Sequence, residues 1–141
     1  MNVIEPYVSA GSFKFGASYD EIVAELGQPR STEKDRSGET IVRYDGFGAT
    51  ISSSGVVEVY FLPDADVSLL GIDVFGDPAA FKSLCALDGD PKETLGFIVL
   101  LKLGITMTGF HDGDVSQLAI TAFEKGRWDQ VLGTMTDYRP A

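Results

Sequence analysis

Two stretches of this chain line up with each other at a spacing near sixty residues, and a chain built from two copies of one unit has few ways to fold. Val8-Ser9-Ala10-Gly11-Ser12-Phe13-Lys14-Phe15-Gly16 aligns with Val67-Ser68-Leu69-Leu70-Gly71-Ile72-Asp73-Val74-Phe75-Gly76 if one residue is inserted, and the Phe-Gly positions agree at an offset of sixty. Each stretch leads into a helical segment, and these end in Leu26-Gly27-Gln28-Pro29 and Leu87-Asp88-Gly89-Asp90-Pro91. Phe47-Gly48-Ala49-Thr50-Ile51 then matches Leu103-Gly104-Ile105-Thr106-Met107, and Val57-Glu58-Val59-Tyr60-Phe61 matches Ala119-Ile120-Thr121-Ala122-Phe123. The shared order of the matches carries more weight than any one of them. The expected fold class is α+β: two tandem helix-plus-antiparallel-meander repeats forming one compact domain over residues 1–141. Repeat one covers 8–66, repeat two 67–126, and a closing segment 127–141.

Local signals place the elements. Ser18 with Glu21 three residues on is a capping box, and Ile22, Val23 and Leu26 give the helix an apolar stripe. Gly27 suits the left-handed position after the helix, and Pro29 stops it from continuing. In the second helix Asp77 is read as the N-cap, Pro78 as the first helical residue, and Phe81, Leu84 and Cys85 as the buried stripe. Strands are expected over 40–44, 49–52 and 56–62, and again over 97–103, 105–110 and 115–124, with Arg30 to Glu39 an exposed strand and turn. Gly126 to Met135, carrying Trp128, Val131 and Leu132, reads as a short helix or turn closing on the sheet, and Asp137 to Ala141 as loose chain. The expected core comprises Phe15, Ile22, Leu26, Val59, Phe61, Phe75, Phe81, Leu84, Leu101 and Phe123.

Several chemistries are disfavoured by what the chain contains. Its 141 residues hold 44% hydrophobic and 23% charged residues, which is ordinary globular usage and enough chain for a proper core. Formal net charge is −10, a field that opposes phosphate backbones and anionic membranes and favours encounter with a basic partner. Met1 to Pro6 is too polar and short for a signal peptide, and the longest apolar run, Phe97 to Leu101, falls far below the roughly 20 residues of a membrane span. The single cysteine, Cys85, allows no internal disulfide or cysteine cluster, and its place on an apolar stripe suits a small buried hydrophobe. The expectation is a cytoplasmic protein without cofactor or metal, binding neither nucleic acid nor membrane.

No catalytic constellation emerges. The one histidine, His111, lies in a polar turn with Asp112 and Asp114, without a strand-to-helix nucleophile elbow and with too few ligands for a metal. Asp-Gly-Phe-Gly at 45–48 lacks the lysine and glycine spacing of a phosphate loop. Carboxylates are abundant, yet nothing singles out a pair. What remains is surface. Alternation in the strands puts Val57, Val59 and Phe61 on one face and Arg43, Thr50, Ser52, Glu58 and Tyr60 on the other. The second copy contributes Thr106, Thr108 and Phe110, with Lys102 nearby. Ile98, Leu100 and Ile120 also fall on that polar-patterned side, which implies cover by Trp128 or a partner.

The stretch from Phe15 to Pro29 resembles the Gly-x-Ser/Thr-x-x-x-(Val/Ile)-x-x-x-Leu-Gly-x-Pro pattern of small bacterial α+β proteins. One group with this pattern is the β-lactamase-inhibitor proteins, a tandem-repeat fold that grips its target with a concave sheet. Another is the small lipoproteins of the outer-membrane barrel-assembly machinery. Size and acidity are also similar to those of bacterial immunity proteins. The inhibitors carry disulfides and the lipoproteins a lipid-bearing cysteine, and neither fits this chain, so the resemblance implies a fold and no particular target. The expected function is a non-enzymatic protein-binding module, of inhibitor or immunity type, that neutralises a basic protein. The alternative is a small-molecule binder or minor enzyme with a pocket between the repeats.

Overall fold

The computed structural model describes residues 2–139 as a mixed α+β fold with two short helices and two sheets. The order is β1 (Asn2–Glu5), β2 (Ser9–Ala10), β3 (Phe13–Lys14), α1 (Tyr19–Leu26), β4 (Ser31–Lys34), β5 (Thr40–Arg43), β6 (Phe47–Ser52) and β7 (Gly55–Phe61). There follow β8 (Val67–Leu69), β9 (Ile72–Asp73), α2 (Ala80–Asp88), β10 (Lys92–Thr94), β11 (Phe97–Leu100), β12 (Ile105–Thr108), β13 (Ala119–Phe123) and β14 (Thr136–Asp137). Short 3-10 turns cover Val115–Gln117 and Asp129–Thr134.

The large sheet runs β14-β10-β11-β12-β13-β7-β6-β5-β4, and the small one β3-β2-β1-β8-β9. Among the described residues only the β1–β8 pair is parallel. At the middle of the large sheet β7 lies antiparallel to β13, with Tyr60 opposite Thr121 and Val59 opposite Ala122.

One face of the large sheet makes the core. Cross-strand rows run Ile98–Met107–Ile120–Phe61 and Leu100–Ile105–Ala122–Val59–Ala49–Val42, all buried. Ile22 from α1, Leu84 and Cys85 from α2, and Ile4, Val67 and Leu69 from the small sheet join the same cluster. Ile98, Leu100 and Ile120 therefore belong to the core face and not to the polar one. Each sits directly across from a core residue, so alternation counted along a single strand gave the wrong side. A bulge between Thr50 and Ile51 makes a similar change in β7: Val56 joins the core cluster with Val59 and Phe61, and Val57 is the extra residue. Of the expected core, Ile22, Val59, Phe61, Leu84 and Phe123 are buried. Phe15, Leu26, Phe75 and Phe81 pack partly buried against it, and Leu101 lies half-exposed in a turn.

The helix ends follow local chemistry. Ser18 Oγ accepts from the Glu21 amide at 3.2 Å and Glu21 Oε1 accepts from the Ser18 amide at 3.1 Å, closing the capping box. Gly27 ends α1 at φ 81° with ψ −176°, a positive-φ but extended backbone instead of the left-handed helical one. The start of α2 differs from expectation: Asp77 caps a preceding turn, its Oδ1 accepting from the Ala79 amide at 2.8 Å, and the helix begins at Ala80. The tail expected to be loose is tied down as far as it is described. Thr136 and Asp137 pair with β10, and Tyr138 donates its amide to the Pro91 carbonyl at 2.9 Å. Residues 140 and 141, also expected to be loose, lie outside the described residues.

Candidate functional site: the second face of the large sheet

On the face opposite the core, one cross-strand row runs Val99–Thr106–Thr121–Tyr60–Gly48–Arg43–Ser31 and another Phe123–Glu58–Thr50–Ile41–Glu33. The C-terminal segment covers part of it. The Trp128 ring packs edge-on against Phe97 with centroids 5.6 Å apart and lies 6.2 Å from Phe123, and Thr134 shares a hydrogen bond with Thr94 at 2.9 Å. Val99 and Thr106 are buried in this half. Arg127 holds the segment at the midline. Its guanidinium takes Glu39 in two bonds of 2.7 and 2.9 Å and donates from Nε to Glu58 at 2.7 Å. These bonds keep the Glu39 carboxyl below the usual carboxylate range, so it is ionised at neutral pH and serves as an acceptor.

Apart from the Arg127 side chain over Glu58 and Glu39, the half formed by β4 to β7 is open, with Arg43, Thr50 and Tyr60 half-buried. At its centre the Tyr60 ring lies across Gly48, where a Cβ would collide with the ring and with the Val42 carbonyl. The glycine thus lets the tyrosine lie flat on the sheet, as aromatic residues do over glycines in designed sheets. Tyr60 is half-buried, and burial raises its hydroxyl pKa while the nearby Arg43 charge pulls it back. Arg43 Nη2 is 2.9 Å from Glu33 Oε1. Thr50 and Ile41 flank the ring's row, both half-buried.

The structure brings Arg43, Thr50, Glu58 and Tyr60 together on this face. Thr108 and Thr106 share it, but Thr106 lies buried and Thr108 Oγ1 is spent on the Gln117 carbonyl at 2.6 Å. Ser52 lies at the hairpin end, its hydroxyl within 2.9 Å of Ser54 and 3.3 Å of the Gly55 carbonyl. Two expected members sit elsewhere. Lys102 is exposed in the turn after β11, where its amide donates to Asp88 at 2.9 Å. Phe110 lies on the helix side, stacked between Phe75 and Phe81 with centroids 5.9 Å from each. Its strand ends at Thr108, and Gly109 at φ 82° breaks the alternation that would have kept Phe110 beside Thr108. Gly48, Ile41, Thr121, Glu39 and Arg127 were not anticipated. Register supplies the first three, and nothing near Arg127 in sequence announces its two carboxylates.

Elsewhere, the Cys85 thiol is pushed up to about 11 by burial and then by the Asp88 charge, so it is a protonated, inert group at neutral pH. His111 lies 3.6 Å from Glu93 through Nε2, with Nδ1 buried and unpaired among the described residues. Among the described residues no group of three His, Cys, Asp or Glu side chains is placed to hold a metal, and no helix is long and apolar enough to cross a membrane. Comparison with protein-family models, curated proteins and solved structures finds no match.

Proposed function

We propose that this chain is a protein-binding module of inhibitor or immunity type that uses the open half of the large sheet to hold a basic partner. The observation that carries the reading is Tyr60. A large ring held flat over Gly48, half-buried and flanked by Arg43 and Thr50, is a rigid amphipathic anchor of the kind that dominates binding hot spots. The net charge of −10 supports a basic partner, since it would accelerate encounter. The reading includes two tandem copies of one unit. In its favour, a short hairpin, a helix and four consecutive antiparallel strands occur in the same order before and after residue 66. The last strands of the two halves, β7 and β13, also pair antiparallel, as a two-fold relation between copies requires. That arrangement fits the resemblance to the β-lactamase-inhibitor proteins.

The test is a photo-crosslinking amino acid placed at position 60 and, as a control, at the exposed Glu25 of α1. A stoichiometric basic protein crosslinked from 60 and not from 25 is expected. Its association rate should fall with added salt, and Tyr60→Ala should raise the dissociation rate at least tenfold. Phe110→Ala should leave dissociation unchanged. Equal crosslinking from both positions, or a dissociation rate indifferent to Tyr60, overturns the reading.

A further inference from the structure

Two hairpins of this chain turn on the same pair of residues. Thr94 lies opposite Phe97 and Leu69 opposite Ile72, so the loops are Leu95-Gly96 and Leu70-Gly71. In both, leucine and glycine have positive φ, 53° and 84° in the first and 51° and 80° in the second, as a type I′ turn requires. Such a turn favours Asn, Asp or Gly at its first position, and a leucine there crowds its Cβ against the backbone. Leu95 is also 79% exposed, so neither backbone preference nor burial accounts for it.

Other apolar side chains emerge at the same end of the large sheet. Thr94 shares its hydrogen bond with Thr134, which sets the Leu95 tip beside the turn Asp129–Thr134, and that turn exposes Leu132 at 44%. β12 pairs with β11 and ends at Thr108, whose Oγ1 holds the Gln117 carbonyl of the turn that exposes Val115 at 76%. β10 lies between β14 and β11, so the hairpin offers a partner strand no free ladder. Separate apolar side chains without an open edge suit the apolar stripe of a helix.

The charge around this end has one sign. Residues 93–97, 109–118 and 128–134 include Glu93, Asp112, Asp114 and Asp129 and no Lys or Arg. The three aspartates are exposed, and Glu93 faces His111 at 3.6 Å. The flanking cations are matched elsewhere, Lys92 by Asp90 and Asp137 and Arg127 by Glu39 and Glu58. Arg139, further along the chain, acts on Asp137. Apolar side chains rimmed by carboxylates complement a surface that is apolar and basic.

We infer that this end of the sheet docks a basic amphipathic helix of a partner protein. The helix sets its apolar stripe on Leu95, Leu132 and Val115 and its Lys or Arg side chains toward Asp112, Asp114 and Asp129. This surface stands apart from that of Tyr60, which is built on β4 to β7, so either can fail without the other.

The test titrates the full chain with a helical peptide of leucine and lysine, its leucines along one face, and with the same peptide carrying glutamate for lysine. Backbone amides are followed by NMR. The lysine peptide should bind saturably and shift Leu95, Gly96, Val115 and Leu132, and the glutamate peptide should bind at least about tenfold more weakly. Leu95→Asn should weaken the lysine peptide at least about tenfold and yet raise the thermal midpoint, because Asn-Gly is the favoured pair for this turn. Leu70→Asn, the same change in the small sheet, should raise the midpoint and leave peptide binding unchanged. Shifts that map elsewhere, equal affinity for the two peptides, or binding indifferent to Leu95→Asn overturn the inference. A midpoint lowered by Leu95→Asn overturns it too, since the leucine would then serve the fold. So does Leu95-dependent self-association in sedimentation, or Leu95-dependent binding to phosphatidylcholine vesicles, because the occupant would be a second copy or a membrane.

Discussion

Gly48 shows how one residue decides what a surface offers. Any side chain there would displace the Tyr60 ring and press on the Val42 carbonyl. Gly48→Val should therefore cost roughly 2–3 kcal/mol, the range of overpacking a tight site, measured by urea denaturation. Tyr60→Ala alone should cost less, and it should recover only part of the loss in the double variant, because the backbone clash at Val42 remains. Full recovery would show that the ring was the whole obstacle. Phe110 makes the complementary point about what the sequence reveals. Its parity with Thr106 and Thr108 was correct by count, and the face was still wrong, because a positive-φ glycine intervened. Alternation is legible only while a strand continues, and strand ends depend on partners distant in the chain. Tyr60, Arg43, Thr50 and Glu58 were legible because all four lie on one side of the bulge, where the β5–β6–β7 ladder keeps its register.

Among the elements, α2 and the β11–β12 turn are joined by a side chain that the sequence presented only as the end of a helix. Asp88 is 1% exposed and accepts from the amides of Lys102 at 2.9 Å and Leu103 at 3.2 Å. Those donors have lost water on folding, and an unpaired buried donor is costly. Asp88→Ala should lose about 2–4 kcal/mol, counting roughly 1–3 kcal/mol for each amide left unsatisfied and allowing some rehydration. Asp88→Asn, which keeps one acceptor oxygen, should lose less than half as much. Equal losses for the two variants in equilibrium unfolding would mean that packing, and not the hydrogen bonds, makes Asp88 matter. The contrast with Ser18 is instructive. Its capping partners lie three residues away and are visible in the sequence, whereas those of Asp88 lie fourteen and fifteen residues on, in a turn that only folding brings near.

Across the whole molecule, Arg127 ties the C-terminal segment to strands from the first half of the chain. Because the Glu39 carboxyl is lowered in the folded state, its contribution is present above the unfolded value of about 4.3 and is lost as pH falls through the folded one. Arg127→Met removes that dependence. The variant should be less stable than the parent at pH 7, and the gap should narrow on acidification below about pH 4.3, followed as thermal midpoints in a pH series. A gap that stays constant with pH would assign the loss to packing alone. Amide exchange over Asp129–Thr134 should quicken in the variant, since Arg127 adjoins that turn.

The α+β class, the capped first helix, most strand positions and the acidic field all followed from local pattern and composition, because each depends on residues within a few positions of one another or on a simple sum of charges. Register, the bulge at Thr50, the side taken by Phe110 and the exposure of each sheet face did not. They arise from pairings such as Tyr60 with Thr121 and Glu39 with Arg127, made across 61 and 88 positions of chain. That the Trp128 segment closes on the sheet was legible in its apolar spacing, but which half it closes was not. Folding decided that the Trp128 segment closes one half of the sheet, leaving Tyr60 and Arg43 on the other half, because the aromatic rings of Phe97 and Phe123 gave Trp128 a place to bury and Glu39 with Glu58 gave Arg127 its partners.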